Sequence, residues 1–173
     1  MGQTISKGEK LAYLENPIDP KYALKIEDRN KLFEPGYLDK EVGYCQMPDG
    51  STYVANLTKM PGVTVEMFDW WFAWHGLGPL RYTLWDPYDH YHAISTAQVM
   101  CHFVREIEDG IELRTRFWTG YHIMGGNPVL LLKEGEVQPL EFAKGLLAHN
   151  MHEFANLADL LPRIYPEEKD NWD

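Results

Sequence analysis

The chain has 173 residues, 45% apolar and 13% aromatic, with 16 Lys and Arg against 26 Asp and Glu and a formal charge of −10 at pH 7. That apolar share suffices for one globular domain, with or without an arm, and excludes wholesale disorder. The acidic balance argues against nucleic-acid and anionic-membrane partners, because nothing would neutralise their phosphates, and no apolar run nears the ~20 residues of a bilayer span.

The segment MGQTISKGEK is polar and carries no secretory signal, so a cytoplasmic protein is expected. Cys45 and Cys101 read as two reduced thiols, not as a disulfide framework. There is no CxxC ribbon, no Walker loop and no GxGxxG. Gly2 and Ser6 fit the M-G-x-x-x-[ST] acylation pattern. We read that match as coincidence, and one myristoyl chain would bind membranes only marginally.

Residues 1–40 are charged and proline-punctuated and read as an arm anchored through Tyr22, Leu24 and Phe33. The β-prone runs 42–47 and 52–57 flank Pro48-Asp49-Gly50 and predict a hairpin. Pro61-Gly62 breaks the chain, and Thr64 is placed to cap a helix VEMFDWWFAWH that Gly76 ends. That helix is apolar nearly all round, which predicts burial against a sheet. Residues 80–85 are β-prone, and 86–90 read as a loop. The runs 98–108 and 111–121 around Asp109-Gly110 predict a long hairpin. A break at 125–128 and a short strand at 129–132 follow. Pro139 opens a helix to about residue 161 that Pro162 should end, leaving PEEKDNWD as an acidic, frayed tail. The organisation expected is an arm (1–40), a single domain (41–165) and a tail (166–173). The order of strands, short helix, antiparallel strands and long helix is α+β, with a curved sheet gripping a helix.

The last helix contains His149-Asn150-Met151-His152-Glu153. His149 and Glu153 are four apart and share a face, the spacing by which one helix offers two ligands to a metal. The same spacing also suits a plain hydrogen-bonded pair. Leu146, Leu147, Phe154, Leu157 and Leu161 surround it, and a buried carboxylate needs a partner. His75 ends the Trp-rich helix with Phe68, Trp70, Trp71, Phe72 and Trp74, and by itself reads as a packed core histidine. Strand periodicity puts Met100, His102, Val104 and Glu106 on one face, and a lone strand glutamate ordinarily faces solvent. Two histidines and two acids together make an N/O donor set suited to zinc, iron or manganese.

The block Phe68-Asp69-Trp70-Trp71-Phe72-Ala73-Trp74-His75, then Leu80-Arg81-Tyr82 and Trp85-Asp86-Pro87-Tyr88-Asp89-His90, resembles the signature stretch of the 2,4-diacetylphloroglucinol hydrolase family, which includes phloretin hydrolase. Arg116-Phe117-Trp118-Thr119-Gly120 and the helix His149 to Leu157 resemble it too, so that the similarity spans about residues 42 to 160. The resemblance implies one zinc held by His75, Glu106, His149 and Glu153. It implies a helix-grip fold like the birch-pollen allergen and START domains. It implies hydrolysis of a carbon–carbon bond between an acyl group and a phenolic ring. Glu153 or Glu106 would serve as base toward water, with His122, His90 and Tyr82 as acids or hydroxyl anchors, each equally readable as an ordinary core or surface residue. His152, three residues from His149 and so about 60° around the helix, is expected to point aside. His102 is expected to pack or to form a supporting hydrogen bond. The chain is shorter than family members, in its N-terminal region and between Glu106 and His149.

Three other readings compete. Two histidines and a carboxylate also describe a non-haem iron oxygenase, and Fe2+ or Mn2+ are the alternatives to zinc. A zinc lyase or isomerase would act on a polyketide-like substrate. A helix-grip carrier would bind an apolar ligand without turnover. The hydrolase is preferred because all four ligand types stand in family order. Its substrate would be a small aromatic or polyketide-like ketone stacked on the Trp-rich helix, and the arm would suit a homodimer.

Overall fold

A computed structural model describes residues 12–77, 79–87, 99–119 and 138–172, with the backbone alone given at 79, 99–101 and 119. The first hairpin forms where expected. Strand β1 (Gly43–Gln46) pairs antiparallel with β2 (Thr52–Pro61), Gly43 opposite Ala55 and Gln46 opposite Thr52. Met47 N–H donates to Ser51 O at 2.8 Å and Gly50 N–H to Met47 O at 2.9 Å. Gly50 takes φ +87° there, which only glycine adopts without strain. The second hairpin joins β3 (Val99–Ile107) to β4 (Gly110–Thr119). The four strands form one antiparallel sheet in the order β1-β2-β4-β3. Gly110 is required by a close approach. A Cβ there would stand 2.2 Å from Met60 O and 3.0 Å from Pro61 Cα, and Gly62 N–H donates to Asp109 O at 2.7 Å beside it.

Helix α1 (Val65–Trp74) begins at the expected cap, Thr64 Oγ1 accepting from Met67 N–H at 3.2 Å. It buries Phe68, Trp70, Trp71 and Trp74, while Glu66, Asp69 and Ala73 form an exposed stripe at helical spacing. A 3₁₀ turn, His75–Leu77, follows.

Residues 80–85 are not a strand. They belong to helix α2 (Pro79–Trp85). A short apolar run does not distinguish the two by pattern, and Pro79 suits a first helical turn. In a strand Leu80, Tyr82 and Leu84 would share one face. The helix instead turns Tyr82 and Trp85 to the core and leaves Leu80 and Leu84 exposed.

Helix α3 (Pro139–Glu168) starts at the expected proline but does not stop at Pro162, and Pro166 also lies inside it. Each proline removes one helical N–H. Packing compensates. Leu160, Ile164 and Tyr165 lie against the same core as Leu157 and Leu161, and Tyr165 meets Trp70 edge-on at 5.3 Å. Beyond the helix, Asn171 O accepts from Trp74 Nε1–H at 2.9 Å. The acidic segment is thereby tied down, contrary to the expectation of fraying. No helix among the described residues is long and apolar enough to cross a membrane. The expected features at 125–128 and 129–132 lie outside the described residues.

The chain divides into two compact units. One comprises Met1–Leu57, Thr96–Phe103 and Arg114–Ala148, the other Thr58–Ser95, Val104–Leu113 and His149–Asp173. In the first, Leu24, Leu32, Cys45, Tyr53, Ala55 and Trp118 form the core. The arm is anchored by Leu24 and Leu32. Of the three expected anchors, Leu24 is buried, Tyr22 is half-buried, and Phe33 is 74% exposed with its ring edge-on to Phe103 at 4.6 Å. The segment is the 3₁₀ helix Ile26–Phe33, whose three-residue turn aligns Ile26 with Leu32 and puts Phe33 on the next row. Trp118 Nε1–H donates to Leu24 O at 2.8 Å. Glu41 pairs with Arg114 at 2.6 Å and with Arg116, and Arg114 Nη1 reaches Leu32 O at 2.7 Å. Charge-assisted bonds thus fasten the arm. In the second unit, Met60, Trp71, Ile111, Leu113, Phe154, Leu157 and Leu161 are fully buried together. Each large side chain so buried contributes about 1.5–3 kcal/mol.

Candidate active site

The described site residues all belong to the second unit. Helical spacing alone brings His149 and Glu153 together, with Nε2 and Oε2 at 3.5 Å. Glu153 is buried, and its carboxylate is held from within the same helix by Asn150, whose Nδ2–H donates to Oε1 at 2.8 Å. Asn150 is itself fully buried. On its other side His149 faces Asp86, with Nδ1 and Oδ2 at 3.6 Å. The same Asp86 oxygen lies 3.0 Å from His152 Nδ1.

Asp86 is placed by the end of α2. The last carbonyls of a helix lack internal partners, and here Asn156 of α3 donates to Leu84 O and Trp85 O. Trp85 Nε1–H in turn donates to the Glu153 main-chain O at 3.1 Å. These contacts clamp α2 to α3, and the next side chain, Asp86, is wholly buried.

His75 stands in an aromatic wall. Its ring stacks on Trp71 at 5.3 Å and on Tyr82 at 5.9 Å, with Trp85 edge-on at 5.5 Å. His75 Nδ1 is 2.7 Å from Trp71 O. A carbonyl can only accept, so Nδ1 carries the proton and Nε2 is the lone-pair nitrogen of the neutral ring. Burial pushes the Tyr82 phenol above its ordinary value, and the carboxylates of Glu153 and Asp86 add to the effect. Tyr82 therefore stays an O–H donor at neutral pH.

Of the expected residues, His149 and Glu153 meet, and Tyr82 lies within electrostatic reach of Glu153. Glu106 is exposed near the end of β3. His102 belongs to the first unit, with Nδ1 3.0 Å from Thr115 Oγ1. His152 does not simply point aside, since it engages Asp86. His90 and His122 lie outside the described residues. Sequence reasoning missed Asp86 and Asn150. For Asp86 the one signal was an acid between a buried tryptophan and a proline, and for Asn150 an amide one turn before Glu153.

The donors fit a zinc-type ion in kind, being imidazole nitrogen and carboxylate oxygen. Among the described residues, however, no three His, Cys, Asp or Glu side chains are grouped so as to hold a metal. Asp86, His149, His152 and Glu153 pair with one another instead.

Comparison with known proteins decides the family. The DAPG hydrolase PhiG domain model matches residues 24–98 and 93–166. This chain belongs to that family. It is 33% identical to phloretin hydrolase of Eubacterium ramulus over 95% of this chain and 86% of the relative. It is 27% identical to 2,4-diacetylphloroglucinol hydrolase of Pseudomonas protegens over 89% of this chain and 76% of the relative. A Pseudomonas sp. enzyme of the same name is also 27% identical, with 89% and 79% covered. The alignment with phloretin hydrolase runs over 237 positions, more than the 173 residues of this chain, so that relative carries an internal stretch absent here. The family match breaks at 93–98, between His75 and Glu106.

Proposed function

We propose that this chain is a zinc-dependent hydrolase that cleaves the carbon–carbon bond between an acyl group and a phenolic or otherwise enolisable ring, built on a helix-grip fold. The observation that carries the reading is the His149–Glu153 pair, one turn apart on α3 with Glu153 buried, in a member of a family that includes phloretin hydrolase. The packing of Met60, Ile111 and Leu113 from the sheet against Phe154 and Leu157 of α3 supports the fold.

His75, through Nε2, and His149 and Glu153 would hold the ion, with Glu106 as the fourth donor that the family resemblance adds. When bound, the ion supplies a Lewis acid for the acyl oxygen and lowers the pKa of water. The protein does the rest. The ring of the substrate stacks on the wall of His75, Tyr82 and Trp85. The Tyr82 O–H donates to a ring oxygen. Glu153, or Glu106, takes a proton from water, whose oxygen bonds to the acyl carbon. The bond from that carbon to the ring breaks, its electron pair goes to the ring carbon, and a proton is returned there. His90 and His122 are the further candidates for that delivery. The products are a carboxylic acid and the deacylated phenol. The same reading makes the protein a cytoplasmic enzyme with a small aromatic ketone as its partner.

The test is elemental analysis of protein purified without added metal, with a chelated control, followed by assays on phloretin and 2,4-diacetylphloroglucinol. About one zinc per chain, lost on chelation, is expected. His149→Ala and Glu153→Ala should lose zinc and turnover together while keeping the fold. Glu106→Ala decides the fourth donor. Iron with oxygen-dependent turnover would replace the reading with an oxygenase. A folded protein that neither binds zinc nor turns over either ketone would leave a ligand carrier.

A further inference from the structure

We propose that Asn156 is a positioning residue, one that sets the spacing between the aromatic wall on α2 and the His149–Glu153 pair on α3; its effect on turnover rests on the hydrolase reading, its effect on the packing of α2 does not. His149, Glu153 and Asn156 follow one another at steps of four and three residues, so they form one stripe along α3. The first two bring an imidazole and a carboxylate to 3.5 Å. The third binds main chain. Its Nδ2–H donates to Leu84 O at 3.3 Å and to Trp85 O.

Helix α2 needs such a hold. It has seven residues, and so short a helix is not stable by itself. Tyr82 and Trp85 pack on the core, while Leu80 and Leu84 are exposed. Trp85 returns the contact, its Nε1–H donating to Glu153 O at 3.1 Å. The two links run in opposite directions, a side chain of each helix binding the main chain of the other. Tyr82 stands one turn before Trp85 on the same face of α2. It stacks on His75 at 5.9 Å and lies within electrostatic reach of Glu153. Trp85 is edge-on to His75 at 5.5 Å and to Phe154 at 5.5 Å. A slide or rotation of α2 would carry both rings away from Glu153 and leave His149 and Glu153 in place on α3. Asn156 opposes that movement through the main chain of α2, so it acts on where a ring substrate lies and not on the ligand pair.

The experiment has two arms and compares the full chain with Asn156→Ala and Asn156→Asp. The second variant keeps the shape but sets an acceptor against two carbonyls. In the first arm, exchange of the indole N–H protons is followed by NMR. Exchange at Trp85 should quicken about 10-fold or more in both variants. At Trp118, whose Nε1–H donates to Leu24 O at 2.8 Å in the other unit, it should stay within about twofold. An unchanged Trp85 overturns the proposal, and so does an equal quickening at both indoles, which would mean a general loss of stability. In the second arm, turnover of phloretin and 2,4-diacetylphloroglucinol is measured beside zinc affinity by chelator competition. The ratio kcat/KM should fall about 10- to 100-fold, with KM raised through the displaced wall and kcat lowered through the displaced Tyr82 O–H. Zinc affinity should stay within about twofold. Asn156→Gln, which keeps the amide on a longer stem, should recover part of the loss. A kcat/KM within about twofold of the parent overturns the proposal, as does a zinc affinity that falls in step with it, which would place the effect on the ligand pair. If the parent turns over neither ketone, the hydrolase reading fails and the indole arm alone decides the role of Asn156. If Asn156→Asp does not fold, Asn156→Ala decides in both arms.

Discussion

Asn150 offers the sharpest test of how Glu153 is held. Its side chain is fully buried, and Nδ2–H donates to Glu153 Oε1 at 2.8 Å. A hydrogen bond to a charged group contributes about 1.5–3 kcal/mol. Asn150→Ala also leaves a small cavity, adding roughly 1 kcal/mol, so the whole change should cost about 2.5–4 kcal/mol. At about 2–4 °C per kcal/mol for a chain of this size, Tm should fall by roughly 5–15 °C. Asn150→Leu removes the donor without opening a cavity, its side chain being somewhat larger than asparagine's, and should lose at least about 1.5–3 kcal/mol. The difference between the two separates the bond from the cavity. Glu141→Ala, at an exposed first-turn position of α3, is the control and should stay within about 0.5 kcal/mol of the parent. Urea denaturation followed by circular dichroism reads all three. A Glu153 released from Asn150 should also bind zinc about 10-fold more weakly or worse. Asn150→Leu as stable as the Glu141 control would refute the argument that Asn150 compensates the buried carboxylate.

Further predictions concern the scaffold. Gly110→Ala should cost about 2–4 kcal/mol in urea denaturation, because its Cβ would press on the backbone of Met60 and Pro61 and break the Gly62–Asp109 bond. Gly50→Ala, at φ +87° with nothing within 4 Å, should cost about 1 kcal/mol, and equal losses would contradict the close approach. For Glu41, burial alone would raise the carboxyl pKa, but the Arg114 hydrogen bond, the Arg116 charge and the Leu38 N–H together hold it below 4.5. A folded pKa below the unfolded one stabilises above the unfolded value and is lost as pH falls through the folded value. Glu41→Gln should therefore destabilise at pH 7, with the gap narrowing below about pH 4.5; a gap constant down to pH 3 would count against the network. Burial, helped by Asp19, pushes the Cys45 thiol up to about 11. Iodoacetamide at pH 8 should leave Cys45 intact in the native protein and alkylate it in urea, as read by peptide mass mapping; prompt native alkylation would contradict this.

Much of the site was legible because its signals are local. The His149–Glu153 pair follows from helical spacing, and that spacing held. The Thr64 cap and the turns at Asp49-Gly50 and Asp109-Gly110 were read from residues within a few positions of one another. The family, too, was legible in the aromatic block from Phe68 to His75. The second carboxylate of the cluster was not, because Asp86 acquires its role only when α2 docks on α3. The contact that docks them, Trp85 Nε1 to Glu153 O, joins residues 68 apart in sequence.

The same division accounts for the errors in the elements. Residues 80–85 have a composition that suits strand or helix, and the choice was made by Tyr82 and Trp85 reaching the core together. Pro162 is a sound local stop signal, overridden by the packing of Ile164 and Tyr165. Phe33 was the more apolar-looking anchor, yet the 3₁₀ turn gave the buried position to Leu32. By itself the sequence determined the caps, the turns, the helix-borne His149–Glu153 pair and the family, since these depend on short-range sterics, hydrogen bonds and spacing. The tertiary structure alone decided which short run is helix, how far α3 continues and which carboxylate faces His149. Those outcomes depend on the free energy of burying side chains against partners that are distant in the chain.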